Sequence, residues 1–539
     1  MGRVLLFPFL LLLSFLSCSV SHTTSNQTDS PARNSKNVRP NILIAISDDQ
    51  SYPYASAYGS TSTLTPHFDR IAKEGVLFTN AFVASPGCSP SRAALLTGRY
   101  PWELEHAGTH ASYFSKDFVV FPDLLEEAGY AVGFTGKGWG PGSWQKSGRE
   151  RNPAGPEYNE HTVPDTPSGI NARDYAANFK AFLGQKEADQ PFYFWYGAHE
   201  PHRVFKEGIG AESGKKLYDA EVPEFLPDAP AIRNDILDYA YEIEHFDHHL
   251  GRILAMLEEI DELDNTIVIV TSDNGMAFPR AKANAFEYGI HVPLAISWPE
   301  KVKGYRTSND LISLVDLAPT ILEAAHVAHP SPDVLSGKSL VHLLESENSG
   351  IIDPARTAVF SARERHSSSR FNSLSYPQRA IRTHDFLYIV NFTPERWPAG
   401  APQKYATDGT LETLHGGYHD IDAAPSLSYL IENRDDPTVS RYFHLSVDLR
   451  PAEELYDIRK DPACLYNLAT APGYQTVKHE LNQSLIDYLS ASQDPRVTGN
   501  GDIFETYPRV SRLRWFPEPA WAQQADTVIR PTWLDKEDR

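Results

Sequence analysis

Cysteine is almost absent from this chain, with three among 539 residues, at positions 18, 88 and 464. A disulfide-built scaffold is thereby excluded, because such frameworks pair several cysteines along a short chain. Positive charge is also in deficit: 49 Lys and Arg stand against 70 Asp and Glu, for a formal net charge of −21. Nucleic acid and anionic membrane surfaces are excluded as partners, since both are bound through an excess of basic side chains. An anionic substrate would therefore need a local basic cluster. No internal repeat is present.

Long apolar runs are missing as well, save one near the N-terminus. "VLLFPFLLLLSFL", with Arg3 before it and small residues around "SCSVSH" after it, reads as an export signal over residues 1–20. It is too short to span a bilayer comfortably, so the mature chain is expected to carry no integral membrane segment. Cys18 lies in the partial lipidation box Phe15-Leu16-Ser17-Cys18, which makes a lipid anchor an alternative to free release. Residues 21–38 form a polar linker. The destination is then periplasmic, extracellular or lysosomal according to the host. Removing the signal leaves Cys88 and Cys464, either bridged or free, and a free thiol in an oxidising compartment needs a reason. Sequons at Asn26, Asn391 and Asn482 matter only in a eukaryotic secretory pathway.

What is present is ordinary globular composition, 41% hydrophobic and 11% aromatic, with 40 prolines that favour fixed loops. The length implies one large domain and a smaller companion. "RPNILIAIS" is a nearly continuous apolar strand ending in Asp48 and Asp49, the pattern of a buried parallel strand opening into a loop. Helix-like stretches then alternate with apolar strands: "TPHFDRIAKEG" before "VLFTNAFVAS", "FPDLLEEAG" before "YAVGFTGKG", "NARDYAANFKAFLGQ" before "PFYFWYGAHEPHR". The last is "DYAYEIEHFDHHLGRILAMLEEID" before "NTIVIVTSDNG". This rhythm predicts an α/β fold, a large mostly parallel sheet sandwiched by helices, as the catalytic domain over 39–350. Shorter strand-like runs such as "RAIRTHDFLYIVNF" predict a smaller C-terminal α+β domain with an antiparallel sheet over 351–515. An extended tail follows over 516–539. The Gly-, Pro- and charge-rich loop 201–232 is placed to form a rim.

Polar residues gather just after these strands. Alone, Asp48-Asp49 reads as a cap or turn, Asp273-Asn274-Gly275 as an Asx turn, and His199 with His202 as two satisfied loop histidines. Together, oxygen donors after two separate strands point to a hard cation such as Ca²⁺ or Mg²⁺ rather than Zn²⁺, which prefers nitrogen and sulfur.

"CSPSRAALLTGR" resembles the signature of the type I sulfatases, Cys-x-Pro-x-Arg followed by Leu-Leu-Thr-Gly, and the likeness extends over most of residues 39–470. Through "HEPHR", "TSDNGMAFP", "SYPQR" and "EELYDIRKDP" the chain looks most like the sulfamidases, or heparan N-sulfatases. The resemblance implies that a maturation enzyme oxidises Cys88 to formylglycine (3-oxoalanine), whose hydrate attacks sulfur through one hydroxyl. The other hydroxyl then expels sulfate. A thiol or serine hydroxyl lacks that second hydroxyl and would stall as a sulfated enzyme. The resemblance further implies one Ca²⁺ on Asp48, Asp49, Cys88, Asp273 and Asn274, with Lys137 and Lys282 gripping sulfate oxygens and His202 protonating the leaving atom. Arg92, four residues after Cys88, would share a helix face with it. His199 is expected as substrate contact or support.

One departure stands out. Many sulfatases place a histidine two residues after the active-site lysine, where Trp139 stands here, and His106 or His110 is the expected replacement. His110, Arg365, His366 and Arg379 are expected to contact substrate, and Trp102, Trp139 and Trp144 either stack on sugar rings or pack in the core. Cys464 is expected to pack as a small buried hydrophobe. The implied activity is an exported sulfatase on a sulfated oligosaccharide, with S–N cleavage of N-sulfoglucosamine ahead of O-sulfate ester cleavage and exo action preferred. Alternatives are a phosphoester or phosphonate hydrolase of the same superfamily, and a non-catalytic glycan-binding protein in which Cys88 is never converted.

Overall fold

The computed structural model describes residues 1–2, 39–523 and 530–534, so the signal, the linker, Cys18 and Asn26 lie outside the described residues. The described residues from Arg39 onward form one compact body. Its first sheet has eight strands: β1 (Asn41–Ser47), β2 (Val76–Phe82), β3 (Ala131–Gly136), β4 (Phe192–Gly197), β5 (Thr266–Ser272), β6 (His291–Ser297), β7 (Arg306–Ser308) and β8 (Ile312–Ser313). They lie in the order β3-β4-β1-β5-β6-β2-β7, with β8 also on β2. The block β3-β4-β1-β5 is parallel throughout, whereas β6 runs antiparallel to both β5 and β2. The expected α/β class is therefore present, with one reversed strand beside the parallel block.

The apolar run of β1 is continuous because both of its faces are covered. Ile42, Ile44 and Ile46 join the core under the helices α2 (Cys88–Thr97) and α3 (Phe121–Glu127). Leu43 and Ala45 point the other way, against α1 (Pro66–Glu74), α4 (Tyr175–Leu183) and the 30-residue α6 (Pro230–Glu259), which follows the one-turn α5 (Ile209–Glu212). Each fully buried side chain of this kind contributes about 1.5–3 kcal/mol. Pro66 and Pro230 open their helices at the first position, where no amide partner is lost.

The second sheet contains β9 (Val359–Arg363), β10 (Gln378–Arg382), β11 (Phe386–Asn391) and β12 (Glu453–Asp457), antiparallel in the order β12-β11-β10-β9. Ala362 of β9 donates its amide to the Ala84 carbonyl at 2.8 Å, which ties this sheet to the loop leading to Cys88. Inside β11 the sequon at Asn391 is closed, because its amide nitrogen is buried and donates to the Pro451 carbonyl and Glu454. Cys464 is buried, and it and Cys88 are both free thiols, so no bridge joins them. The tail packs through Phe516, which is buried, and Trp533, whose indole donates to the Glu505 carbonyl at 2.9 Å. Among the described residues no helix is long and apolar enough to cross a membrane.

One buried acid on α6 gives a pH-dependent stability. Both carboxyl oxygens of Glu242 lack a hydrogen-bond partner among the described residues; burial first, then Glu200 and Asp238, push its pKa up to about 9. Folded chains hold this proton while unfolded chains release it near pH 4.3, so stability falls as pH rises between about 4.3 and about 9. Glu242→Gln is expected to gain stability relative to the parent as pH increases, with a slope approaching about 1.4 kcal/mol per pH unit. Denaturant melts at pH 5 and pH 8 check this, and a difference that is the same at both values defeats it.

Candidate active site

All four strands of the parallel block deliver a polar segment at their C-terminal edge, where ligands of open α/β sheets bind. β3 ends in Lys137, β4 in His199 and His202, β1 in Asp48-Asp49, and β5 in Asp273-Asn274. Backbone bonds continue the ladder beyond the strands: Lys137 N to Gly197 O at 2.7 Å, Asp48 N to Glu200 O at 2.9 Å, and Asp273 N to Ser47 O at 3.1 Å. The loops are thus fixed in register. Gly136 and Gly197 are required here, since a Cβ on Gly136 would lie 1.9 Å from the Gly197 carbonyl oxygen. Asp49 adopts a positive φ of 76°, uncommon for a residue with a Cβ. Tyr239 of α6 braces it, donating to the Asp49 carbonyl at 3.0 Å and accepting from Ser51 N at 3.1 Å.

Cys88 is the first residue of α2, and every residue of that helix is buried. Its Sγ lies 3.6 Å from Asp48 Oδ1 and 3.9 Å from Asp49 Oδ1. Burial first pushes the thiol pKa well up, so at neutral pH the unmodified side chain is a protonated, weak nucleophile. One turn on, Arg92 donates from Nε to Asp273 Oδ2 at 2.7 Å and from Nη1 to the carbonyls of Lys137 and Gly138 at 2.6 and 3.1 Å. Its Nη2 is buried without a partner among the described residues. The expected shared helix face is realised.

Two lysines neutralise the strand-end carboxylates. Lys137 Nζ lies 2.5 Å from Asp48 Oδ2, and Lys282 Nζ donates to Asp49 Oδ2 at 2.7 Å and to Asp422 Oδ2 at 3.0 Å. Burial alone would raise the pKa of Asp48, but Lys137, His202 and Arg92 outweigh it and hold this carboxyl well below its usual range. Burial opposes the charge of Lys282, and Asp422 and Asp49 overcome it, so the ammonium persists. The loop carrying Lys282 is pinned to the Cys88 loop by Ala283 N to Pro86 O at 2.8 Å.

His202 reaches Asp49 Oδ2 with Nε2 at 3.9 Å, while its Nδ1 donates to the Arg203 carbonyl at 2.7 Å. That bond fixes the tautomer and leaves Nε2 toward the site. His199 accepts from Arg173 Nη1 at 3.3 Å, and burial drops its pKa to about 3, so it stays neutral. His110 and His366 flank the peptide before Cys88: a Cβ on Gly87 would lie 3.1 Å from His366 Nδ1 and 3.9 Å from His110 Cδ2. Burial lowers both, His366 to about 3, and His110 Nδ1 has no partner. Asp48, Asp49 and Cys88 stand close enough to share an ion, and Asn274 Oδ1 beside them is buried without a partner among the described residues; the carboxylate and amide oxygens of this group fit a hard cation.

Other expected contacts lie elsewhere. Arg379 is fully buried in β10, with Nε on Asp494 at 2.5 Å and Nη1 2.8 Å from Glu364, so it is a structural cation and no substrate ligand. Arg365 is also buried, donating to the Tyr507 carbonyl at 2.8 Å beneath Trp533. His106 packs on Tyr507, ring centroids 4.3 Å apart and tilted by 39°, rather than folding over the site. Trp139 donates to the Ser89 carbonyl at 3.0 Å and packs on Phe114, and Trp102 stacks on Tyr100; both are core side chains. Trp144 packs half-buried against the same core. Sequence reasoning missed Asp422, from "HDID", which carries no motif signal, and Arg173, which it read as part of the helix-like stretch "NARDYAANFKAFLGQ" although the helix begins only at Tyr175.

Comparison with known proteins decides the family. The Sulfatase model matches residues 40–327, and the model of the N-sulphoglucosamine sulphohydrolase C-terminal region matches residues 281–394. The chain belongs to the sulfatase family. It is 30% identical over 506 residues to human N-sulphoglucosamine sulphohydrolase, covering 86% of this chain and 93% of that protein. An ulvan-active sulfatase of Formosa agariphila is 27% identical over 489 residues, covering 85% and 76%. A solved structure in complex with its substrate D-glucosamine-2-N,6-O-disulfate shares the fold, with TM-score 0.60, 23% identity, and 85% and 98% coverage. This sulfatase is a sulfuric ester hydrolase, and the strand-end cluster around Cys88 is its candidate catalytic centre.

Proposed function

We propose that this sulfatase is exported and removes sulfate from a sulfated sugar, with the S–N bond of N-sulfoglucosamine as first substrate and a sugar O-sulfate as second. The observation that carries this reading is Cys88 at the start of α2, facing Asp48 and Asp49 with Lys137 and Lys282 beside them. A buried, protonated thiol is a poor nucleophile there, which supports conversion of Cys88 to formylglycine by a maturation enzyme. The hydrated aldehyde supplies the attacking hydroxyl and a second one to release sulfate. A calcium ion on Asp48, Asp49, Asp273, Asn274 and the side chain at 88 would supply Lewis-acid stabilisation of a sulfate oxygen.

The chain's own residues do the rest. Four carboxylates (Asp48, Asp49, Asp273, Asp422) face three fixed cations (Arg92, Lys137, Lys282), a deficit that a divalent cation and a singly charged sulfate ester together close. Lys137 and Lys282 hold sulfate oxygens. Arg92 keeps Asp273 in place. His202, when protonated at Nε2, gives its proton to the departing nitrogen or oxygen. A two-metal phosphatase is disfavoured, because the Lys282 ammonium already lies between Asp49 and Asp422, the carboxylates nearest His202.

Sulfate release is measured from N-sulfoglucosamine, glucosamine 6-sulfate, algal sulfated sugars, an aryl sulfate and an aryl phosphate. N-sulfoglucosamine is expected to be turned over fastest. Turnover confined to another sugar would reassign the substrate, and faster phosphate release would overturn the sulfatase assignment of the site. His202→Gln is expected to lower kcat about 10²- to 10⁴-fold on sugar substrates. The loss should be much smaller on the aryl sulfate, whose leaving group needs no proton. Equal losses on both would remove His202 as the acid.

A further inference from the structure

We infer that Arg173 forms a second anion subsite, selecting substrates that carry another sulfate or carboxylate beside the scissile group. This rests on the sulfatase reading of the site but not on which sugar it takes. Arg173 belongs to the loop before α4 and is half-buried. Its Nη1 donates to Asn171 Oδ1 at 3.2 Å and to His199 Nε2 at 3.3 Å, both uncharged acceptors. Nε is buried without a partner, and no carboxylate lies within ion-pair distance of the guanidinium among the described residues. The neighbouring arginines differ: Arg92 is paired with Asp273, Arg203 with Asp235, and Arg252 with Asp174.

This charge stands next to the catalytic cluster. His199, which Arg173 touches, is followed by Glu200, whose carbonyl accepts from Asp48 N at 2.9 Å, so the guanidinium stands beside the strand end that carries Asp48. It also lies outside the balance of carboxylates and cations that one sulfate ester closes. Neutral His199 adds no negative charge to this wall, whereas Lys282 is already paired with Asp49 and Asp422. An anionic substituent on the Arg173 side would meet a cation that no carboxylate has already neutralised. A guanidinium with no carboxylate of its own suits both sulfate and carboxylate, through charge-assisted hydrogen bonds.

The test compares matched substrates that differ only in the second anionic group. On the sugar that the wild-type enzyme turns over, kcat and KM are measured for the monosulfated form, the form with a second sulfate, and the form linked to a uronic acid. Arg173→Gln is expected to raise KM about ten- to hundredfold for whichever dianionic form the subsite accepts, with kcat nearly unchanged. The monosulfated form should change less than about twofold. Arg173→Lys should recover part of the loss. The two dianionic arms distinguish sulfate from carboxylate. Equal losses on all three forms would make Arg173 a mere support for His199, and unchanged kinetics on all three would leave it no role; either overturns the inference. Wild-type turnover of a sugar other than a glucosamine sulfate defeats the substrate proposed above, yet leaves the matched comparison on that sugar to decide Arg173.

Discussion

Alanine at position 88 is expected to lower sulfate release by on the order of 10⁴-fold or more, the scale of removing a nucleophile, while the melting temperature changes by only a few degrees. The Cys88 side chain is small and contacts Asp48 and Asp49 at 3.6 and 3.9 Å, so its removal leaves the Lys137 and Lys282 ion pairs in place. Serine separates two explanations. A hydroxyl at 88 can attack sulfur once but has no second hydroxyl to expel sulfate, so Cys88→Ser should accumulate a sulfated enzyme, visible as an intact-mass gain of one sulfo group. The same measurement on protein from its native source bears on the conversion itself. Formylglycine carries oxygen where cysteine carries sulfur, and the peptide ending at Arg92 should show that exchange. Unconverted cysteine there, with activity intact, would sink the formylglycine reading.

Much of this site was legible because its positions are fixed by strand ends. Continuous apolar runs mark strands covered on both faces, and the first acidic residues beyond them, Asp48-Asp49 and Asp273-Asn274, fall at one sheet edge once β1 and β5 pair in parallel. The Cys88–Arg92 spacing was legible for a similar reason, since four residues make one helical turn. The misplaced residues share a different cause. Arg379 finds Asp494, 115 positions away, and Arg365 is covered by the tail through Trp533, partners that no local pattern announces. An arginine beside a motif therefore reads alike whether it faces substrate or a buried carboxylate. Asp422 and Arg173 were missed in the reverse sense. Each enters the site from an irregular loop, where position is set by tertiary bonds alone. The reversed strand β6 was likewise hidden, because an apolar run buried on both faces has no direction in its composition.

Arg92→Ala is expected to fail in both stability and catalysis, more severely than any neutral substitution in the same helix. The guanidinium is fully buried, and its removal takes the donor from Asp273 Oδ2 and the Gly138 carbonyl and leaves the Lys137 carbonyl to the Trp195 indole alone. Breaking one partner from a buried ion pair costs about 3–5 kcal/mol, because the remaining charge is left uncompensated. Burial already raises the pKa of Asp273 against the opposing pull of Arg92, and without Arg92 it should rise further. An acid raised in the folded state holds a proton that the unfolded chain has released; parent and variant both hold it up to about 6, where the parent begins to release it, so the deficit of the variant should widen as pH increases above about 6. Denaturant melts at pH 5 and pH 8, with chelator present so that no cation masks Asp273, read this directly. Arg92→Lys keeps the charge but offers a single nitrogen where Nε and Nη1 now diverge toward a carboxylate and two carbonyls. It should therefore recover much of the pH dependence but little of the activity, since the Lys137 carbonyl loses the shorter of its two hydrogen bonds. A lysine variant with full activity would show that Arg92 acts as charge alone, and that the fork linking α2, β3 and β5 is dispensable for positioning the site.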